Sequence, residues 1–170
     1  IRDSFETVEY IQRLCVQHKK EMVVYISMGF GNPYGDPYNE TIVFDWVNQL
    51  VQAGIRIISL ADTVGVAAPE QIYRITRHLI ESLPEIEIGV HLHSTPFNRN
   101  EKIKAALDAG CHRYDAAIHG IGGCPMAGDQ LVGNIDTEGL VEFLDAQQYA
   151  LDLNRDAFRE SMQAATNVFV

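Results

Sequence analysis

The feature that most narrows the folds open to this chain is a repeated switch between two hydrophobic periods. Four segments rich in β-branched or apolar residues, at 22–27, 55–60, 86–93 and 111–118, are each followed by residues whose apolar positions recur at helical spacing. A helix over 3–19 comes first, carrying Phe5, Val8, Ile11, Leu14 and Cys15 on one stripe. Between the first two strands, 41–53 aligns Val43, Trp46, Val47, Leu50 and Val51, and Gly54 stops the helix. Between the second and third, Pro69 suits a first helical position, Ile72, Ile75 and Leu79 repeat, and Pro84 ends the run. A helix over 98–109 offers Ile103, Ala106 and Leu107 and is closed by Gly110. After a glycine-rich loop at 120–134, Thr137 is expected to cap a helix with Leu140, Val141 and Leu144, and a last helix spans 155–168 with Phe158, Met162 and Ala165.

Strands alternating with helices of about a dozen residues make a parallel sheet with right-handed crossovers. Two α/β architectures satisfy that, a doubly wound sheet and a (β/α)8 barrel. The polar residues decide between them: Asp62, His91, His93 and His119 fall at or just past the ends of successive strands, where a barrel keeps its active site. The expected fold is therefore TIM-barrel type with about four βα units, a half barrel, and residues 1–170 form a single domain fragment. The chain opens at Ile1 without an initiator Met and enters a helix at once, so an upstream segment is expected.

Composition removes several classes of function. With 13 Lys+Arg against 23 Asp+Glu, a formal charge of −10, the chain repels a phosphate backbone, and no nucleic-acid partner is expected. No apolar run approaches the roughly 18–20 residues that span a bilayer, so no membrane partner is expected. The first residues lack the order of a signal peptide, and Cys15, Cys111 and Cys124 are an odd, widely spaced set that fits reduced thiols. The expected compartment is cytoplasmic.

Three patterns can carry chemistry. In Val90-His91-Leu92-His93 the imidazoles are two residues apart on a strand and share a face, with Cα atoms about 6–7 Å apart, so both can reach one divalent ion. Ile86, Ile88, Val90 and Leu92 have the other parity and pack under the helices. In Gly120-Ile121-Gly122-Gly123-Cys124-Pro125, glycines admit positive φ and Pro125 fixes the chain beyond a thiol; the loop is either a lid carrying a catalytic group or a phosphate-binding or merely flexible glycine loop with an incidental cysteine. Asn134 is either a neutral oxygen ligand or a turn residue after Gly133. Asp62, ending an apolar strand, is either a turn cap or, near two histidines and a cation, a group that orients ligands or relays protons. His18, His78 and His112 read as solvent-facing, His119 stays open, and Asn32-Pro33-Tyr34-Gly35 reads as a turn without chemistry.

The series Ile58-Ser59-Leu60-Ala61-Asp62-Thr63-Val64-Gly65, Val90-His91-Leu92-His93, Gly120-x-Gly122-Gly123-Cys124-Pro125 and Gly133-Asn134, in this order and spacing, resembles the second half of the 3-hydroxy-3-methylglutaryl-CoA lyases, across nearly the whole chain. His-x-His alone is shared with the wider superfamily of metal-dependent aldolases, lyases and Claisen-type synthases; Gly-Gly-Cys-Pro is narrower. The resemblance implies His91, His93 and Asn134 as ligands of Mg²⁺ or Mn²⁺, Cys124 as a loop thiol in proton transfer, Asp62 as an active-site acid and Glu138 as a further acidic position. Imidazole and oxygen donors without thiolate suit those harder ions. The implied reaction is a retro-Claisen cleavage of a CoA thioester substrate: a base removes the C3 hydroxyl proton, the C–C bond breaks to acetoacetate and an acetyl-CoA enolate, and a returned proton completes the turnover.

The chain departs from that pattern in two places. Ser94 stands where many relatives carry Asp after His-x-His, and Pro96-Phe97 stands where they carry Tyr-Gly. The family's opening Arg-Asp motif, source of a catalytic arginine and a fourth metal ligand, has no counterpart, since Arg2-Asp3 precedes a helix rather than leaving a strand. The piece alone is thus expected to bind metal weakly and to be inactive without its upstream half. Two alternatives stand beside this reading. One is a related aldolase or carboxyltransferase acting on a 2-keto acid; the other is a non-catalytic half-barrel interaction module. Exposed sheet edges favour self-association, and a homo-oligomer is expected.

Overall fold

The computed structural model describes residues 2–123 and 132–168. The alternation of periods folds as βα units: α1 (Arg2–Gln17), β1 (Val23–Ile26), α2 (Glu40–Gln52), β2 (Ile57–Ala61), α3 (Pro69–Ser82), β3 (Glu87–His91), α4 (Arg99–Asp108) and β4 (Arg113–Asp115). A short 3-10 turn, Ile118–Gly120, then leads toward α5 (Thr137–Ala146) and α6 (Arg155–Val168).

Every strand pairs in parallel with its sequence neighbour, in the order β1-β2-β3-β4. A doubly wound sheet reverses its strand order at a switch point; this sheet never reverses. The fold is α/β of the TIM-barrel type, four consecutive units of a (β/α)8 barrel, as the alternation required. No helix among the described residues is long and apolar enough to cross a membrane.

Strand parity divides the sheet into two chemically different faces. Ile58, Leu60, Ile88 and Val90 are buried beneath the helices with Val43, Val47, Leu50, Ile72, Ile75, Leu79, Ile103 and Ala106. Burying side chains of this size contributes roughly 1.5–3 kcal/mol each, which makes this layer the main source of stability. The opposite face carries Tyr25, Ser59, Gly89 and Arg113 in one register row and Ala61, His91 and Asp115 in a row nearer the strand ends. At Gly89 a β-carbon would lie 2.6 Å from Ser59 Oγ and 2.8 Å from Arg113 Cδ, so the missing side chain is what lets Arg113 lie across this face.

Two local expectations are corrected. Asp136, not Thr137, caps α5: its Oδ2 accepts from the Gly139 N–H at 2.9 Å, leaving Thr137 as the first helical residue. The fourth strand is three residues long and not eight. Cys111 belongs to the exit from α4, where it is fully buried with its thiol donating to the Ile88 carbonyl at 3.4 Å, and His119, at φ 57°, bends the chain off the sheet.

Candidate active site

The two histidines do share a face and meet at the strand end. Their ring centroids are 5.2 Å apart, edge to face, and Tyr25 packs its ring edgewise on His91 at 5.8 Å. His91 is the last residue of β3 and is half-buried, while His93, one pleat further on, is 3% exposed. Burial, then the neighbouring His93, hold the pKa of His91 below the ordinary 6.5, against smaller opposing pulls from Asp115 and Asp62. A ring kept neutral is the form that donates a lone pair to a cation.

The surroundings fix which ring nitrogen of His93 is free. Its Nδ1 lies 3.0 Å from the Val132 carbonyl, so it carries a proton and donates, and in the neutral ring Nε2 is the nitrogen with the lone pair. Asn134 reaches the same place through an isolated antiparallel bridge to His93. Its amide nitrogen donates to the Ile121 carbonyl at 3.0 Å, which uses the donor end and leaves Oδ1 as an acceptor. Glycines make that approach possible. A β-carbon at Gly120 (φ 63°) would sit 2.9 Å from the Asn134 carbonyl, and one at Gly122 (φ 97°) would sit 3.0 Å from its side-chain nitrogen. His91, His93 and Asn134 line one cavity of about 510 Å³ with Tyr25, Ser27, Ala61, Thr63, Gly122 and Gly123.

Asp62 is not in that cavity. It continues the parity of Ile58 and Leu60, toward the helices, and is 1% exposed. Its Oδ2 accepts from Lys102 Nζ at 2.7 Å and its Oδ1 accepts from the Ala67 N–H at 3.0 Å. Lys102, itself 2% exposed, also donates to the carbonyls of His93 at 2.8 Å and Gly65 at 3.1 Å. One ammonium thereby ties the loop after β2 to the loop that carries His93. Sequence reasoning missed Lys102, although a lysine beside Ile103 on the buried stripe of α4 was the available signal.

Glu138 lies in an adjoining polar cavity of about 450 Å³ with Ser94, Thr95, Arg99, His119 and Asp136. Both its oxygens are engaged by His119, Oε1 with the ring Nδ1 at 2.8 Å and Oε2 with the backbone N–H at 3.0 Å. The other ring nitrogen of His119 meets the Met162 carbonyl at 3.1 Å, so this histidine fastens α6 and does not face the His91–His93 cavity. Those two hydrogen bonds, the one to Met162 first, raise its pKa above 6.5. Arg99 is held by Asp136 at 2.5 Å. Ser94 is buried, with its N–H on the Gly133 carbonyl at 3.0 Å. His18, His78 and His112 are exposed, as their charged or helical neighbours indicated. Cys124 lies outside the described residues. Among the described residues no three His, Cys, Asp or Glu side chains gather in a metal-holding group, so the donor set at hand is two imidazoles and an amide oxygen.

The chain is half of a (β/α)8 barrel, and its polar cavity lies at the C-terminal strand ends, the place where barrels of this kind carry their chemistry. Residues 1–165 match the HMGL-like family, and the chain belongs to it. Among curated relatives, the (R)-citramalyl-CoA lyase of Chloroflexus aurantiacus is 35% identical over 148 residues, 85% of this chain and 46% of that protein. Among solved structures, an HMG-CoA lyase from Acenitobacter baumannii in complex with coenzyme A and 3-methylmalate superposes with a TM-score of 0.80 at 33% identity, covering 95% of this chain and 51% of that one. The hydroxymethylglutaryl-CoA lyase from Pseudomonas aeruginosa reaches a TM-score of 0.88 at 26% identity, covering 99% and 56%. The chain spans about half the length of the relatives it matches.

Proposed function

We propose that this chain is the metal-binding half of a carbon–carbon lyase that cleaves 3-hydroxy-3-methylglutaryl-CoA, or a close 3-hydroxyacyl-CoA, by retro-Claisen chemistry. The observation that carries the reading is the gathering of three donors around one cavity, two of them oriented by backbone carbonyls. The Nδ1 of His93 and the amide nitrogen of Asn134 are both occupied by backbone carbonyls, which leaves Nε2 and Oδ1 as the unspent acceptors beside a neutral His91. Two imidazoles and one amide oxygen, with no thiolate among them, fit Mg²⁺ or Mn²⁺ better than a softer ion. When bound, such a cation supplies Lewis-acid stabilisation of oxygen charge on the substrate.

The remaining roles fall to the chain itself. Tyr25, Ser27, Ala61 and Thr63 wall the cavity and set the room beside the reacting carbons. Cys124, on the glycine loop, is the proton carrier in this reading. Asp62 works through Lys102 as an anchor for the His93 loop, and Glu138 borders the site with its carboxylate held by His119. Activity is expected only with an upstream half present, and the chain alone binds metal weakly.

The family relatives support a second acyl group, since one is a citramalyl-CoA lyase and another was solved with 3-methylmalate. The two substrates separate by product: 3-hydroxy-3-methylglutaryl-CoA releases acetoacetate, whereas citramalyl-CoA releases pyruvate. Titrating the chain with Mn²⁺ and following free ion by electron paramagnetic resonance tests the reading directly. Binding that disappears in His93→Ala and in His91→Ala is expected, and binding unaffected by either substitution sinks it. Product analysis after the upstream half is joined then decides the acyl group, and release of neither keto acid removes the lyase assignment.

A further inference from the structure

His93 has a visible orienting partner and His91 has one in waiting. In the parallel register Asp115 sits directly beside His91, and its Oδ2 lies 3.8 Å from His91 Nδ1. That oxygen is shut off from solvent and has no hydrogen-bond partner. A solvent-excluded carboxylate oxygen without a donor at hydrogen-bond distance is costly, and the ring nitrogen 3.8 Å away, which carries a proton in one of two tautomers, can satisfy it. We propose that Asp115 is the positioning residue of His91: its Oδ2 accepts the Nδ1 proton, fixes the tautomer, and directs Nε2 at the cavity.

Three further observations support this. The Val132 carbonyl already does at His93 what Asp115 would do at His91, taking Nδ1 and leaving Nε2 of that ring free. Tyr25 and His93 stand edge-on to His91 at 5.8 and 5.2 Å and confine its ring, and from 3.8 Å about 0.8 Å of movement by the Asp115 side chain reaches hydrogen-bond distance. Asp115 also touches the phenol of Tyr25, whose pKa is raised by burial first and then by that carboxylate. The carboxylate therefore joins two groups that line the cavity, although it is not itself a lining residue.

The inference rests on reading His91 as a metal ligand, and the test keeps the two apart. Long-range proton–nitrogen correlation spectra of the ¹⁵N-histidine-labelled chain, without metal, report the tautomer of each ring. The expected result is Nδ1–H at His91 in the parent, lost in Asp115→Ala and partly kept in Asp115→Asn, which retains an acceptor oxygen, with His93 unchanged in both. Mn²⁺ affinity should fall by about 10–100-fold in Asp115→Ala and by less in Asp115→Asn. Nε2–H at His91 in the parent, or a tautomer indifferent to both substitutions, overturns the proposal. If the parent binds no Mn²⁺, the metal reading falls while the tautomer still decides the role of Asp115. Should Asp115→Ala fail to fold by circular dichroism, Asp115→Asn carries the test alone.

Discussion

Replacing Lys102 by Met should be among the most damaging single changes outside the apolar core, and the structure gives the reason in countable bonds. The ammonium has three protons and spends all of them, on Asp62 Oδ2 at 2.7 Å, the His93 carbonyl at 2.8 Å and the Gly65 carbonyl at 3.1 Å. Its side chain is 2% exposed and that of Asp62 is 0% exposed, so water cannot take over these contacts. Methionine fills nearly the same volume and removes only the charge and its donors. What remains is a buried carboxylate with one donor, the Ala67 N–H. Breaking one side of a buried ion pair in this way costs about 3–5 kcal/mol. For a chain of 170 residues, each kcal/mol lowers the melting midpoint by roughly 2–4 °C. The expected fall is therefore about 6–20 °C.

Urea unfolding of four proteins measures it: the parent, Lys102→Met, Asp62→Asn and the double variant. Neutralising both partners removes the stranded charge, so the double variant should regain most of what Lys102→Met loses. A Lys102→Met cost below about 1 kcal/mol would refute the reasoning, because that is the worth of a solvated surface pair. If the double variant stays as unstable as the single, the cost belongs to the unbonded carbonyls of Gly65 and His93 and not to the carboxylate.

Three other outcomes follow from the same structure. Gly89→Val should destabilise by about 1–3 kcal/mol by forcing Ser59 and Arg113 apart, and an unchanged urea midpoint would contradict the close approach at that residue. His119 gives α6 a pH-dependent fastening. Because its folded pKa is raised above 6.5, the stabilisation is complete below 6.5 and is lost as pH rises through the folded value, so amide protection in α6, corrected for intrinsic exchange, should drop on that side. Cys111, its thiol pushed up to about 11 by burial, should resist a disulfide reagent in the folded chain and react only after unfolding, as read by mass spectrometry of its peptide.

The fold was legible because its signal is repeated: each strand and each helix stripe is independently weak, but a parallel βα array is the arrangement that satisfies all of them together. Strand ends were less legible. The run 111–118 reads as one apolar strand, yet only Arg113–Asp115 pairs with β3, since Cys111 is drawn into the packing beneath α4 and a left-handed His119 turns the chain away. The histidine pair was legible from spacing alone, because alternation along a strand is local geometry.

The same rule, applied one strand earlier, already contained the placement of Asp62. Ile58 and Leu60 face the helices, so the residue two further on faces them too, and a carboxylate sent into an apolar layer needs a cation there. That cation had to come from the helix packed over the strand ends, and α4 supplies Lys102 in the middle of its buried stripe. Asp115 is the mirror case: flanking Tyr114 with the parity of Arg113, it had to face the cavity side, but which histidine it would meet depended on the register between β3 and β4, a long-range quantity that no local pattern encodes. Thus the groups that could bind a cation were readable from local spacing, whereas the groups that hold them in place are set by pairings between distant segments, which is where mutational tests of this site gain most.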